Sequence, residues 1–204
     1  MKIADHVEML GLGGLGGAMY PTLTWDDTHL VLIDAGIPGL ADVLAGVLAD
    51  AGFSVERLTH ILLPHQDMDH IGSVNELLKR APAALVLAHE EEAPYIDGTK
   101  PHIKGFSGPA VPVSQTLSDS EVLNFCGGIE VVHTPGHTPG HICLLLRESG
   151  ILVGGDAVNI QDGALTGPNP QYTYDMALGM KSLEKIKALP MKGLISYHCG
   201  YLKM

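Results

Sequence analysis

The chain lacks what would tie it to nucleic acid, to a membrane or to a disulfide framework. Only 12 of its 204 residues are Lys or Arg, against 23 Asp and Glu, giving a formal charge of -11. These cations are scattered, whereas nucleic-acid binding shows as a basic patch or stripe. No segment approaches the roughly 18 uninterrupted apolar residues of a membrane span, and the N-terminal "MKIADHVEML" has no apolar signal-peptide core. The expectations are a cytoplasmic location and neither a nucleic-acid nor a membrane partner. Three widely spaced cysteines, Cys126, Cys143 and Cys199, suit neither a disulfide framework nor a four-cysteine zinc site. Reduced thiols serving structural packing are expected. A Gly-x-Ser-x-Gly nucleophile elbow is missing too, so no serine competes for a catalytic role.

What is present is apolar material. Hydrophobic residues make up 46% of the chain and charged residues 17%, enough for a core and consistent with one domain over residues 1–204. The segment "GLGGLG", Gly11 to Gly16, matches a dinucleotide-binding pattern, with Asp34 some twenty residues on. That pattern needs a helix directly after the glycines to hold a pyrophosphate. Here Pro21 and two β-prone runs separated by "DDT" follow, which predict a hairpin behind a glycine loop.

After Gly36, the spacing of Leu40, Val43, Leu44, Val47 and Leu48 predicts a helix that stops at Gly52. "HILL" predicts a buried strand, and a second helix starts near Ser73 and ends before Pro82. "ALVLAH" is another strand, Glu90 to Pro112 an irregular surface excursion, and "IEVVH" a strand ending at "TPGHTPGH". "ICLLLRESGILVGGD" reads as a hairpin turning at Glu148 to Gly150, "NIQDGALTGPNPQYTYD" as loop, Met176 to Leu189 as helix and "GLISYH" as a last strand.

Polar residues gather where these strands stop. His65, Asp67, Asp69 and His70 follow "HILLP", His137 follows "IEVVHTPG", Asp156 follows "ILVGG" and His198 follows "GLISY". Imidazole and carboxylate are ligands for zinc and other borderline divalent metals. One such residue at a strand end is ordinarily a hydrogen-bonding loop residue. Several at four strand ends point to a metal, because carboxylates buried together without cations are costly.

With these motifs in hand, "HQDMDH", "TPGHTPGH", "GGDAV" and "SYHCG", in that order and preceded by "LIDAG", the sequence resembles the metallo-β-lactamase superfamily. The resemblance covers nearly the whole chain and implies an α+β fold, a four-layer αββα sandwich of two mixed β-sheets flanked by helices. It also implies two divalent ions at one sheet edge, zinc first, with manganese or iron as alternatives. His65, Asp67 and His137 would hold the first ion, Asp69, His70 and His198 the second, and Asp156 would bridge them. Asp34 matches a supporting residue. The chain departs from the family's HxHxDH at Asp67, where histidine is usual, which lowers the formal charge of a two-ion site by one.

The implied activity is hydrolysis of a small acyl substrate, an ester, lactone, thioester or lactam, by a metal-bridging hydroxide that Asp69 helps to orient. For protonation of the leaving group, His141, Asn159, Tyr172 and Tyr174 are candidates by position. Lactone-cleaving relatives carry a tyrosine where this chain has Asn159. His133 and His141 are expected to hydrogen-bond to ligands or backbone. Two other readings stand beside the hydrolase: a mononuclear iron oxygenase of the persulfide-dioxygenase kind, and a non-catalytic member of the fold. The chain stops six residues after His198, where relatives continue into a further helix. Either that face is paired in a homodimer, or the chain is a shortened form.

Overall fold

The fold is known from a computed structural model, which describes residues 1–13, 17–105 and 108–204. Seven strands, β1 (Lys2–Ala4), β2 (Val7–Met9), β3 (Thr22–Trp25), β4 (Leu30–Ile33), β5 (His60–Leu63), β6 (Leu85–His89) and β7 (Gln115–Leu117), lie side by side in sequence order. Pairing is antiparallel from β1 to β4 and parallel from β4 to β7. Parallel neighbours need a crossover. Helix α1 (Ala41–Asp50) supplies the first, and α2 (Met68–Ile71) with α3 (Val74–Arg80) the second. A short α4 (Ala93–Ile96) lies before β7.

The second sheet contains β8 (Val122–Leu123), β9 (Ile129–His133), β10 (Ile142–Leu146), β11 (Ile151–Val153), β14 (Gly193–Ser196) and β15 (Gly200–Lys203), in the order β15-β14-β11-β10-β9-β8. Between β11 and β14 come a separate hairpin, β12 (Asn159–Gln161) with β13 (Ala164–Thr166), and α5 (Met176–Lys187). The β11–β14 pair is parallel, with α5 in its crossover, and the rest of the sheet is antiparallel.

Strand periodicity explains the layering. In β4, Val31 and Ile33 face the second sheet, packing in one cluster with Val131, Leu144, Val153 and Ile195. Leu30 and Leu32 face the other way, in a cluster with Leu44 and Leu48 of α1 and Val74 and Leu77 of α3. On the far side, Leu145, Leu152 and Leu194 pack on Leu183 and Ile186 of α5. Two sheets, each covered outside by helix, make the four-layer αββα sandwich that the resemblance implied. Strands buried on both faces read as near-continuous apolar runs, which is why "LVLI", "HILL" and "ICLLL" were visible in the sequence.

Three expectations are corrected. Residues 159–175 are not all loop: Asp162 and Gly163, at φ +52° and +73°, turn the β12–β13 hairpin. Asp-Gly is a favoured pair at such a turn, because both central residues must take positive φ. Val43 lies on the solvent side of α1, 41% exposed, so the inner stripe of that helix is narrower than its apolar spacing suggested. Cys126 and Cys143 are buried as expected, but Cys199 is exposed, its thiol donating to Asn159 Oδ1 at 3.4 Å. Of the glycine loop, Gly14 to Gly16 lie outside the described residues, and Leu12 pairs with Met19 across it. Phe106 and Ser107, within the expected excursion, also lie outside them. Among the described residues, no helix is long and apolar enough to cross a membrane.

Candidate metal centre

Each ligand-type residue sits just beyond a strand. His65 follows β5, and Asp67 is the N-cap of α2 with extended backbone (φ -65°, ψ 145°). Aspartate at an N-cap ordinarily turns its carboxylate back to the helix N–H groups. Asp67 makes no such bond. Its Oδ2 lies instead 3.0 Å from His137 Nε2 and 3.5 Å from His65 Nε2.

His137 lies beyond β9 in the "TPGHTPGH" loop, where Gly140 allows a close approach. A Cβ there would come within 2.3 Å of Glu92 N. Asp156 follows β11, with Oδ2 at 3.6 Å from His137 Nε2 and Oδ1 at 3.5 Å from both His70 Nε2 and His198 Nε2. Asp69 Oδ2 lies 3.2 Å from His198 Nε2 and 3.7 Å from His70 Nε2. The side chains fall into two groups, His65–His137–Asp156 and Asp69–His70–His198, and within each the ligand atoms lie within 4.8 Å of one another. Asp156 thus faces both groups.

The electrostatics fit cations at this place. His65 Nδ1 and Nε2, His70 Nε2 and Asp156 Oδ1 are buried with no hydrogen-bond partner, a costly condition unless something else satisfies them. Burial, with His70 close by, pushes His65 down to about 3, so its ring is neutral and able to ligate. Burial opposes charge on His198, yet the facing carboxylates of Asp156 and Asp69 lift it to about 10. Burial also opposes charge on His70, and there the carboxylates of Asp34, Asp69 and Asp156 outweigh it and hold the ring well above the usual histidine range. Three converging carboxylates thus draw positive charge onto the imidazoles, and divalent ions would supply that charge instead.

Other residues hold these side chains in place. Asp34 is fully buried at φ +70°, and its Oδ1 accepts from His70 Nδ1 at 2.6 Å, which leaves His70 Nε2 facing the site. His141 is also buried. Its Nδ1 lies 2.8 Å from Thr134 Oγ1, and its Nε2 accepts from Asp156 N at 3.1 Å. It therefore supports Asp156 from behind and is no proton donor to a substrate. His133 Nε2 donates to Pro139 O at 2.9 Å, a backbone bond as expected. His198 Nδ1 donates to Ala18 O at 2.9 Å.

An open cleft of about 440 Å³ lies over the centre, lined among others by Asp67, Met68, Asp69, Asn159, Asn169 and Tyr172. Asn159 and Tyr172 are thus brought to the cleft. Tyr174 is 58% exposed and not part of its wall, so its candidacy as a proton donor is withdrawn.

Sequence reasoning missed three residues. Tyr197 is buried under His70, with ring centroids 4.0 Å apart, and its hydroxyl donates to Asp69 O at 2.6 Å. Glu92 is buried and accepts from Gln66 N, Gln66 Nε2 and Gly140 N at 2.8–3.0 Å, joining the "HQDMDH" loop to the "TPGHTPGH" loop. Lys104 reaches Asp67 and His137. Tyr197 adjoins the candidate ligand His198 and could have been flagged, whereas Glu92 and Lys104 carry no local signal.

Comparison with known proteins agrees with this fold. The family model of the metallo-β-lactamase superfamily matches residues 20–195. The chain is 30% identical over 197 residues to the probable metallo-hydrolase YflN of Bacillus subtilis, covering 82% of this chain and 74% of that one. It is also 30% identical to an atrochrysone carboxyl ACP thioesterase of Cryptosporiopsis sp., covering 85% of this chain and 51% of the relative. A metallo-β-lactamase family protein from Thermus thermophilus superposes with a TM-score of 0.81 at 22% identity, over 99% of this chain and 76% of that one. With its motifs, its four layers and its clustered histidines and aspartates in agreement, the chain belongs to the metallo-β-lactamase superfamily.

Proposed function

We propose that the chain is a metal-dependent hydrolase of small acyl substrates, with a thioester or ester first among the candidates. The observation that carries this reading is the convergence of four imidazoles and three carboxylates at the floor of an open cleft, several of their buried atoms unpartnered. Divalent ions held there would supply a Lewis acid and a water of lowered pKa.

The chain's own residues do the rest. Asp69, partly exposed to the cleft, is opposed by burial but held at about 2 by His70 and the His198 hydrogen bond, so it is ionised at neutral pH. It accepts the hydrogen bond of an attacking water and orients it. Asp34, His141 and the Ala18 carbonyl fix His70, Asp156 and His198, so that the donor set is preorganised. Tyr172 and Asn159 stand on the cleft wall, where a substrate's leaving group would pass. The cleft volume falls within the roughly 300–1,000 Å³ of small-molecule sites. The thioesterase among the relatives supports an acyl substrate.

The test is hydrolysis of an ester, thioester, lactone and β-lactam panel by wild type and Asp156→Ala, before and after chelation and with zinc or manganese restored. Activity should vanish on chelation, return with metal, and fall about 100-fold or more in the variant. Equal turnover by wild type and variant, or activity that survives chelation, contradicts the reading.

A further inference from the structure

The departure at Asp67 and the position of Lys104 have one explanation. The Lys104 side chain, 16% exposed, runs into the site. Its ammonium contacts Asp67 Oδ2, lies 2.9 Å from His137 Nε2 and donates to Tyr172 O at 3.1 Å. An ammonium has three N–H donors, and with the His137 ring carrying its proton on Nδ1 each has an acceptor here. Two of those acceptors, Asp67 Oδ2 and His137 Nε2, are atoms that a first metal ion would need. Ammonium and metal therefore exclude each other at this point.

The arrangement does not rest on the lysine's flexible stem alone. Ile103 N donates to Gln66 Oε1 at 2.9 Å, and Gln66 is held in turn by buried Glu92. The backbone before Lys104 is thereby pinned to the residue before Asp67. Asp67, for its part, leaves the α2 N-terminus uncapped to meet the ammonium.

Charge points the same way. Asp67, Asp69 and Asp156 bring three negative charges, which one divalent ion and one ammonium cancel. A histidine at position 67 would leave the lysine without its carboxylate partner.

We infer that the Lys104 ammonium takes the place of the first metal ion, so that the protein keeps one tightly held divalent ion, at Asp69, His70, His198 and Asp156. The inference rests on the metal-site reading above and narrows it to one resident ion. The chemistry at His65 and His137 is then positioning by an internal cation rather than ligation.

The experiment is a zinc count. Wild type, Lys104→Met and Lys104→Arg are stripped of metal, reloaded with excess zinc, desalted and assayed for zinc per folded chain, with folding checked by circular dichroism. Wild type and Lys104→Arg should retain one zinc, and Lys104→Met two. Two zinc ions in wild type, or one in Lys104→Met, overturn the inference. Panel hydrolysis separates the two claims. Two zinc ions with metal-dependent turnover leave the hydrolase reading standing, and the expected counts without turnover on any substrate class leave only the Lys104 inference.

Discussion

Asp34 shows how single residues set the centre. A left-handed backbone is strained for a non-glycine residue, and such strain persists where the surroundings over-determine it. Here the carboxylate fixes the His70 ring. Asp34→Ala should therefore weaken zinc binding about 10- to 100-fold, measured by competition with a chromophoric chelator. Unchanged affinity would show that His70 needs no anchor. Tyr197→Phe removes only the 2.6 Å bond to Asp69 O and should cost about 1 kcal/mol in denaturant unfolding. At this scale the sequence was most legible for the residues that cluster, since His65, Asp69, His70, His137, Asp156 and His198 stand in short motifs at strand ends. Lys104 and Glu92 were not legible, because their meaning arises only when a distant segment folds over the "HQDMDH" loop.

Among the elements, the loops after β5 and β9 depend on each other through Glu92. Burial raises its carboxyl to about 7, against the hydrogen bonds from Gln66 and Gly140 that favour its charge. A carboxyl with a folded pKa above its ordinary 4.5 binds protons more tightly in the native state. Its contribution to stability is thus fully present below about pH 4.5 and lost as pH rises through about 7. Unfolding free energy measured on metal-free protein should show that fall, and Glu92→Gln should lack it. The same variant turns an amide N–H₂ towards a donor, either Gly140 N or the Gln66 pair, and should lose about 1–3 kcal/mol. A variant as stable as wild type at neutral pH would remove Glu92 from this role. Long elements such as α1, α5 and the doubly buried strands could be read from periodicity alone. The short strands β1, β2, β7, β8 and β15 could not, because two to four residues carry too little pattern and their pairing is set by the sheet they join.

For the whole molecule, the sandwich brings β5, β9, β11 and β14 to one edge, so metal binding and folding are linked. An ion that binds only the folded chain stabilises it by about 4 kcal/mol at a thousand-fold excess over its dissociation constant. Chelation should accordingly lower the melting temperature, and zinc should restore it in wild type but not in a His70→Ala, Asp156→Ala double variant. Equal melting of chelated and loaded wild type would argue against a site that forms only on folding. Family and layering were legible at this scale because motif order mirrors strand order. The contact between Lys104 and Asp67, on which the inferred number of ions rests, was not.

X-ray absorption of the zinc-loaded protein reads the metal's neighbours atom by atom, which matters because Cys199 adjoins His198 and offers a rival ligand. Zinc held by the clustered histidines and aspartates should show a first shell of nitrogen and oxygen alone at about 2.0–2.2 Å, with imidazole scattering from His70 and His198. A sulfur scatterer at about 2.3 Å, or zinc without imidazole, would contradict it.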